Sequence, residues 1–453
     1  MRFNSTRFLA NASVVSAFVP LLLAPAIRAE DAPKASRFSV DNMDRSVSPK
    51  VDFFHFAGGT WIKNNPVPAD KSRWGGFDEL QQRNWSLIRG ILETEAAHPA
   101  AAGSPARKVG DFFASAMDTN RIEALAFKPL DADFEKIARL ASAEDFFHLL
   151  GDLELRGHGV MFRASVSPDE KNSGFYAFYL GQGGLGLPDR DYYLKDSFAK
   201  QRDAYQAHIV KMLALLGEST ADAEKHAKTV LDLETEMAKA SKTRTQLRDP
   251  VANYHKFPAA DLGAKYPALP LRTYLSVVGL ERAPDIIVGQ PEFFEALDKM
   301  VKARPLDDLK IYLRWHALSG AAPFLHAAAE EESFAFSGRV LRGQPAQEPR
   351  WQRAARVIDG SIGEALGQIF VEKYFPPAAK ARMSELIGNL KVVFRHRLET
   401  VDWMTQTTRA KALAKFDRFT SKIGYPDKFR DYSSVEIRAD DYLGNVERAA
   451  AFE

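Results

Sequence analysis

The chain has 453 residues, 45% hydrophobic and 26% charged, with 24 prolines and 28 glycines. This is a globular composition, long enough for two or three domains and a sizeable core. A net charge of +2 lacks the basic excess of a nucleic-acid binder, and the absence of cysteine excludes disulfides, thiolate metal sites and a cysteine nucleophile.

In chain order, Arg2 and Arg7 precede the apolar run ASVVSAFVPLLLAPAI. A charged start, an apolar middle and a small-residue exit read as a secretory signal over residues 1–29, cleaved after Ala26 or Ala29. Pro20 and Pro25 leave the run short for a spanning helix. The mature chain is therefore expected in the periplasm or outside the cell, with no stable membrane span. Removing residues 1–29 takes away Arg2, Arg7 and Arg28 and no acids, so the remainder is near neutral. Residues 30–50 are polar and read as an extended lead-in. Phe53, Phe54, Trp61, Trp74 and Phe77 cluster next; core packing is expected for them, with an aromatic groove as the alternative.

AHPAAAGSPAR (97–107) has the Pro, Gly and Ala content of a linker between two domains. VMFRASV (160–166) and FYAFYL (175–180) are the best strand-like runs and predict the arms of a hairpin. Residues 205–216, 223–238 and 383–404 carry apolar residues at three- and four-residue steps. The last has Met383, Leu386, Ile387, Leu390, Phe394, Leu398 and Val401 on one stripe. The fold class is mainly α with a small β element.

GQGGLG (181–186) fits the dinucleotide fingerprint, but such a loop needs a helix opening directly on its last glycine. Here Leu187-Pro188-Asp189 follows, and Pro188 biases Leu187 away from helical angles. The stretch is instead read as a turn leading into a short helix, with Pro188 at its first position. Asp189 and Asp191 are read as caps of that DYYL helix; a glycosidase-like acid pair is the alternative.

Glu234 falls between Val230, Leu231, Met237 and Ala238, inside an apolar stripe. A carboxylate there is costly unless paired. Arg248 or Arg244, in the loop that follows, are the candidate partners in a structural ion pair; a catalytic acid is the alternative. Ten histidines are present, at 55, 98, 148, 158, 208, 226, 255, 316, 326 and 396, and no two lie closer than ten positions. The i, i+4 histidine pair of a helical zinc site is therefore absent. His396 and Glu399, in HRLET, are read as a solvated helix face.

The longer string GGLGLPDRDYYL resembles a signature of the neprilysin-like zinc endopeptidases, and other motifs match in the same order. These are FFHFAGGTWIKNNPVPADKSRWGGFDEL (53–80), LETEMAKASKTRTQLRDPVANYHK (233–256), YLRWHAL (312–318), VIDGSIGEALGQIFVEKYFP (357–376), VDWMTQTTRAKALAKFDRF (401–419) and KIGYPDKFRDYS (422–433). The resemblance covers roughly residues 38–453; collinear motifs of this extent are far more specific than one short pattern. Gly58 stands where secreted animal relatives carry a cysteine.

The resemblance implies two mainly helical domains around a cavity, one of them a lid limiting substrate size. The lid would span about 103–420. Residues 30–100 and 421–453 would belong to an incomplete catalytic domain, and the family's N-terminal peptidase domain would span about 50–453. The chain would then end before the family's asparagine-alanine-tyrosine-tyrosine motif and its zinc helix, within the amphipathic YLGNVERAAAFE (442–453). It would bind no zinc and cut no peptide by itself, although the intact enzyme uses zinc on peptide substrates. Such a shell is expected to expose apolar surface. Arg73 matches an arginine that contacts the peptide's C-terminal carboxylate, for which a guanidinium is suited; an ordinary surface ion pair is the alternative. A second arginine, eight positions later in animal relatives, is Gln81 here. The competing function is a non-catalytic extracytoplasmic module that binds peptides or partners.

Overall fold

The computed structural model describes residues 39–453; the signal read over residues 1–29 lies outside them. Helices dominate, and their starts are written locally. Ser104 accepts the Arg107 N–H at 3.1 Å and precedes Pro105, Ser142 caps onto Asp145, and Ser219 caps onto Asp222. Each satisfies a backbone donor that the first turn leaves free. The longer elements are α1 (Phe53–Asn64), α2 (Gly76–Ala97), α3 (Pro105–Met117), α4 (Ala143–Leu155), α5 (Ala199–Leu215), α6 (Thr220–Ala240), α7 (Pro291–Ala303), α8 (Leu306–Ala321), α9 (Arg350–Tyr374), α10 (Pro377–Thr400), α11 (Gln406–Asp417) and α12 (Tyr442–Phe452). No helix among the described residues is long and apolar enough to cross a membrane.

The expected hairpin is present as β1 (Phe162–Asp169) and β2 (Asn172–Gln182), antiparallel with Arg163 opposite Gly181. Two further strands, β3 (Lys256–Pro258) and β4 (Asp285–Val288), complete a sheet of order β1-β2-β4-β3. β4 runs parallel to β2 and antiparallel to β3. At three and four residues, β3 and β4 are too short to show alternation, and only pairing, β4 with β2 and β3 with β4, makes them strands.

Three apolar cores form. One lies between the sheet and α4, α7 and α8, with Phe147, Phe162, Leu180 and Phe294. A second gathers α5, α6 and α8 around Tyr205, Val230 and Trp315. The third joins α2, α3, α9 and α12 through Leu92, Phe112, Ile358 and Tyr442. Residues 97–107, read as an inter-domain linker, therefore join two helices of one core. Gly110 on α3 sits against the backbone of Glu95 on α2, so close that a Cβ there would be 2.4 Å from the Glu95 carbonyl oxygen.

One expectation about burial is corrected. Phe53, Phe54 and Phe77 are exposed rather than packed in the core, Phe77 at 89%. Helix α10 forms where its periodicity predicts, but none of its residues is buried. Met383, Leu386, Leu390 and Phe394 stay exposed; α11 packs against the helix, with the Phe394 and Phe416 rings 5.6 Å apart, and Lys380 reaches Tyr425 and Asp427.

Candidate functional site

Helix α6 carries Ala223, Ala227, Val230, Leu233 and Met237 inward, and Glu234 shares that buried side. Its carboxylate is fully buried. Tyr193 donates to Glu234 Oε2 at 2.6 Å; Tyr205 and His316 Nε2 donate to Oε1, each at 2.9 Å. The outer groups are satisfied in turn: Trp315 Nε1 donates to the Tyr205 hydroxyl at 2.9 Å, and the Leu187 N–H to the Tyr193 hydroxyl at 2.8 Å. Burial first, and then the Glu234 charge, push the Tyr193 and Tyr205 hydroxyls well above their ordinary range, so both remain neutral donors. Three donors on one carboxylate offset much of its desolvation.

The paired-Glu234 expectation is right about burial and wrong about the partner. Among the described residues no ion pair joins Glu234 to Arg248 or Arg244. Arg244 instead pairs with Asp189 at 2.8 Å, and Arg248 is exposed. The loop after α6 leaves on the solvent side, and donors from three neighbouring segments reach the carboxylate without desolvating a guanidinium. Tyr205 opens one of the predicted stripes and His316 sits in YLRWHAL. A buried acid called for donors, and Tyr205 stood on an element predicted to pack. Both carboxylate oxygens are taken by protein donors, the arrangement of a buried structural acid.

The network also explains the glycines. Gly184 takes φ +77°, and a Cβ on Gly186 would lie 1.8 Å from the Tyr205 hydroxyl. The turn passes over a buried tyrosine too closely for any side chain. The chain reaches Asp191 before helix begins, so Pro188 precedes that helix by three residues instead of opening it. Asp189 Oδ1 accepts the Asp191 N–H at 2.8 Å, and Asp191 pairs with Lys195 one turn on.

His316 forms part of the wall of an open cleft of about 860 Å³, bounded by the outer face of β1 and β2, the 181–190 turn and the 241–253 loop. A separate cavity of about 240 Å³ holds Arg73, Trp74, Gln81 and Arg356. Its rim is docked on the 344–348 segment. The Ala346 N–H donates to the Ala69 carbonyl at 2.9 Å, Gln344 Nε2 to the Asp70 carbonyl at 2.8 Å, and Lys71 to Glu348. Glu348 also receives both Arg356 bonds, at 2.9 Å each. Burial raises its carboxyl, but the Arg356 and Lys71 bonds outweigh this and hold it below the usual range. Arg73 is 86% exposed, with Nε 3.7 Å from Asp78 Oδ1. The structure therefore leaves its guanidinium open to solvent, and does not bring it into one cavity with Glu234 or Arg248.

Among the described residues no three His, Asp or Glu side chains gather as a metal ion would require. His396 and Glu399 are exposed on α10, with Glu399 held by Arg395 at 3.2 Å. One histidine and one ion-paired glutamate do not make the donor set of a zinc site.

Comparison with known proteins places this geometry. A family model described as peptidase family M13 matches residues 49–426. Human endothelin-converting enzyme 1 is 32% identical over 418 residues, covering 89% of this chain and 54% of that protein. An endothelin-converting enzyme homolog of Locusta migratoria is 28% identical, covering 89% and 59%. The inhibitor-bound crystal structure of the Mycobacterium tuberculosis zinc metalloprotease Zmp1 matches with a TM-score of 0.86 and 31% identity, over 93% of this chain and 64% of that one. PepO of Lactobacillus rhamnosis, at 20% identity and a TM-score of 0.75, shares the fold. The chain spans little more than half the length of the curated relatives it matches.

Proposed function

This chain belongs to peptidase family M13, whose members are zinc metalloendopeptidases, and we propose that it is the substrate-enclosing portion of an exported enzyme that cleaves short peptides. The observation that carries this is the likeness to the mycobacterial zinc metalloprotease along 93% of the chain. In a chain with no HExxH pattern and no donor cluster for a metal among the described residues, the part played is binding and size selection. Arg73, with its guanidinium open beside a small polar cavity, is the residue proposed to take the peptide's terminal carboxylate. Gln81, lining the same cavity, supplies hydrogen bonds without a second charge.

The test uses the purified chain, its zinc content and a fluorogenic oligopeptide. Substoichiometric zinc and no cleavage are expected, with peptide binding that weakens in Arg73→Ala. Stoichiometric zinc with turnover, contaminating proteases removed, would end the proposal. The second reading is a non-catalytic module that binds peptides or partners, which the open cleft of about 860 Å³ supports. It predicts peptide capture without turnover as the whole activity. Export is tested by N-terminal sequencing of the mature protein: a start at Ile27 or Glu30 supports it, and a retained Met1 opposes it.

A further inference from the structure

The 860 Å³ cleft beside the Glu234 network has a sharply one-sided charge. Arg163, Arg190, Lys242, Arg244 and Arg248 line it, against Glu170 and Asp189. Asp189 is already neutralised by Arg244. Lys242 Nζ meets only the Ala252 carbonyl at 3.0 Å and Asn253 Oδ1 at 3.3 Å, both uncharged. Among the described residues Arg163, Arg190 and Arg248 have no ion pair, and Arg190 Nε is buried without any hydrogen-bond partner. A buried guanidinium N–H left unpaired is costly, and a ligand oxygen would relieve it.

The sheet register places Arg163 on one wall. Phe162 points into the core while Arg163, beside it, faces the cleft; Ser165 and the paired Gly181 and Tyr179 line the same wall. Opposite stands the 241–253 loop with Lys242 and Arg248. Backbone there is tied down by Gln182, which donates to the Lys242 carbonyl at 3.0 Å and accepts its N–H at 2.7 Å. The volume lies within the range of about 300–1,000 Å³ typical of ligand sites, and the walls suit carboxylates approached from both sides.

We propose that this cleft holds the acidic side chains of a peptide, with Arg163, Arg190, Lys242 and Arg248 as their partners. This deepens the peptide-handling role proposed above and rests on it. The site is distinct from the Arg73 cavity, which would take a chain terminus.

The test compares two matched dodecapeptides, labelled and amidated at the C-terminus, one with three glutamates and the other with glutamines in their place. Binding to the full chain is followed by fluorescence anisotropy, for wild type, Arg163→Ala/Arg248→Ala and Arg163→Lys/Arg248→Lys. The wild type is expected to favour the acidic peptide by about tenfold or more, less at high salt. The alanine pair should lose that preference and the lysine pair keep most of it. Both arginines are exposed and unpaired, so the variants should fold, which thermal melting checks. Neutral-peptide binding without an acidic preference, or a preference that survives the alanine pair, overturns the acidic cleft and leaves the peptide role standing. Acidic-peptide binding alone, lost in the alanine pair, supports the cleft and counts against general peptide handling. Binding of neither peptide overturns both.

Discussion

Helices α6 and α10 carry similar instructions and meet different fates. Both repeat apolar residues at three- and four-residue steps. In α6 the stripe lies in a core against α5 and α8, deep enough to seal a carboxylate from water. In α10 no residue is buried and Leu390 stays 57% exposed. Periodicity specifies which side of a helix is apolar; it says nothing about whether a neighbour arrives to cover it. Stability should therefore concentrate around α6, and substitutions rank the two helices.

The largest effect is expected at Glu234. Glu234→Ala strands three buried donors, on Tyr193, Tyr205 and His316, and leaves a void. A loss of ~3–5 kcal/mol in urea unfolding is expected, from stranded buried donors at ~1–3 kcal/mol each. Glu234→Gln keeps the shape and one acceptor, and should cost less. A loss under ~0.5 kcal/mol for the alanine variant, within the range of ordinary surface changes, would show that the network is not what holds α6 in place.

Next comes Gly186→Ala. Its Cβ would fall 1.8 Å from the Tyr205 hydroxyl, so the turn or the tyrosine must move. Overpacking of this kind costs ~1–3 kcal/mol, and here it also strains the Tyr205 bond to Glu234. Gly263→Ala, with open space around it, is the matched control.

This contrast also marks how far the sequence can be read. The mainly helical class, the hairpin, α5, α6 and α10 and the burial of Glu234 were legible, because each is written in local periodicity or in one misplaced charge. The partners of Glu234 were not: Tyr193, Tyr205 and His316 come from segments spread over more than a hundred residues. Residues 97–107 have a linker's composition, yet the helices on either side close on each other through Gly110. Strands β3 and β4 exist only by pairing. The basic cleft was missed for the same reason, since Arg163, Arg190 and Arg248 are ordinary surface arginines until the sheet and two loops bring them together.

A smaller effect is tied to pH. Asp169, at the end of β1, is held at about 2 by accepting the Lys171 backbone N–H, with Tyr254 and Lys256 adding bonds at 2.9 and 3.1 Å. Unfolded, the same group titrates near ~3.9. Its folded value is depressed, so its contribution is complete above the unfolded value. It is lost as pH falls from roughly 4 through about 2. Asp169→Asn should be less stable than wild type at neutral pH, and the gap should narrow over that acid window. Chemical unfolding at a series of pH values tests this; a gap that stays constant to pH ~2 would mean the charge is not involved.

The smallest effect on stability is expected on α10. Leu390→Lys replaces an exposed apolar side chain, so the unfolding midpoint should correspond to a change within ~0.5 kcal/mol, as for surface positions away from special features. Leu233→Ala on α6, fully buried, should lose ~2–5 kcal/mol. The two helices part again in association. Met383, Leu386, Leu390 and Phe394 form a continuous apolar stripe on α10, with exposed Trp403 and Phe419 in the same region of the chain. Such patches drive self-association, so sedimentation velocity of the wild type should show concentration-dependent species that Leu390→Lys reduces. A monodisperse wild type would mean that the stripe is tolerated by water as it stands. A large stability loss in Leu390→Lys would mean that α10 is packed in solution after all, and the difference between the two helices would disappear.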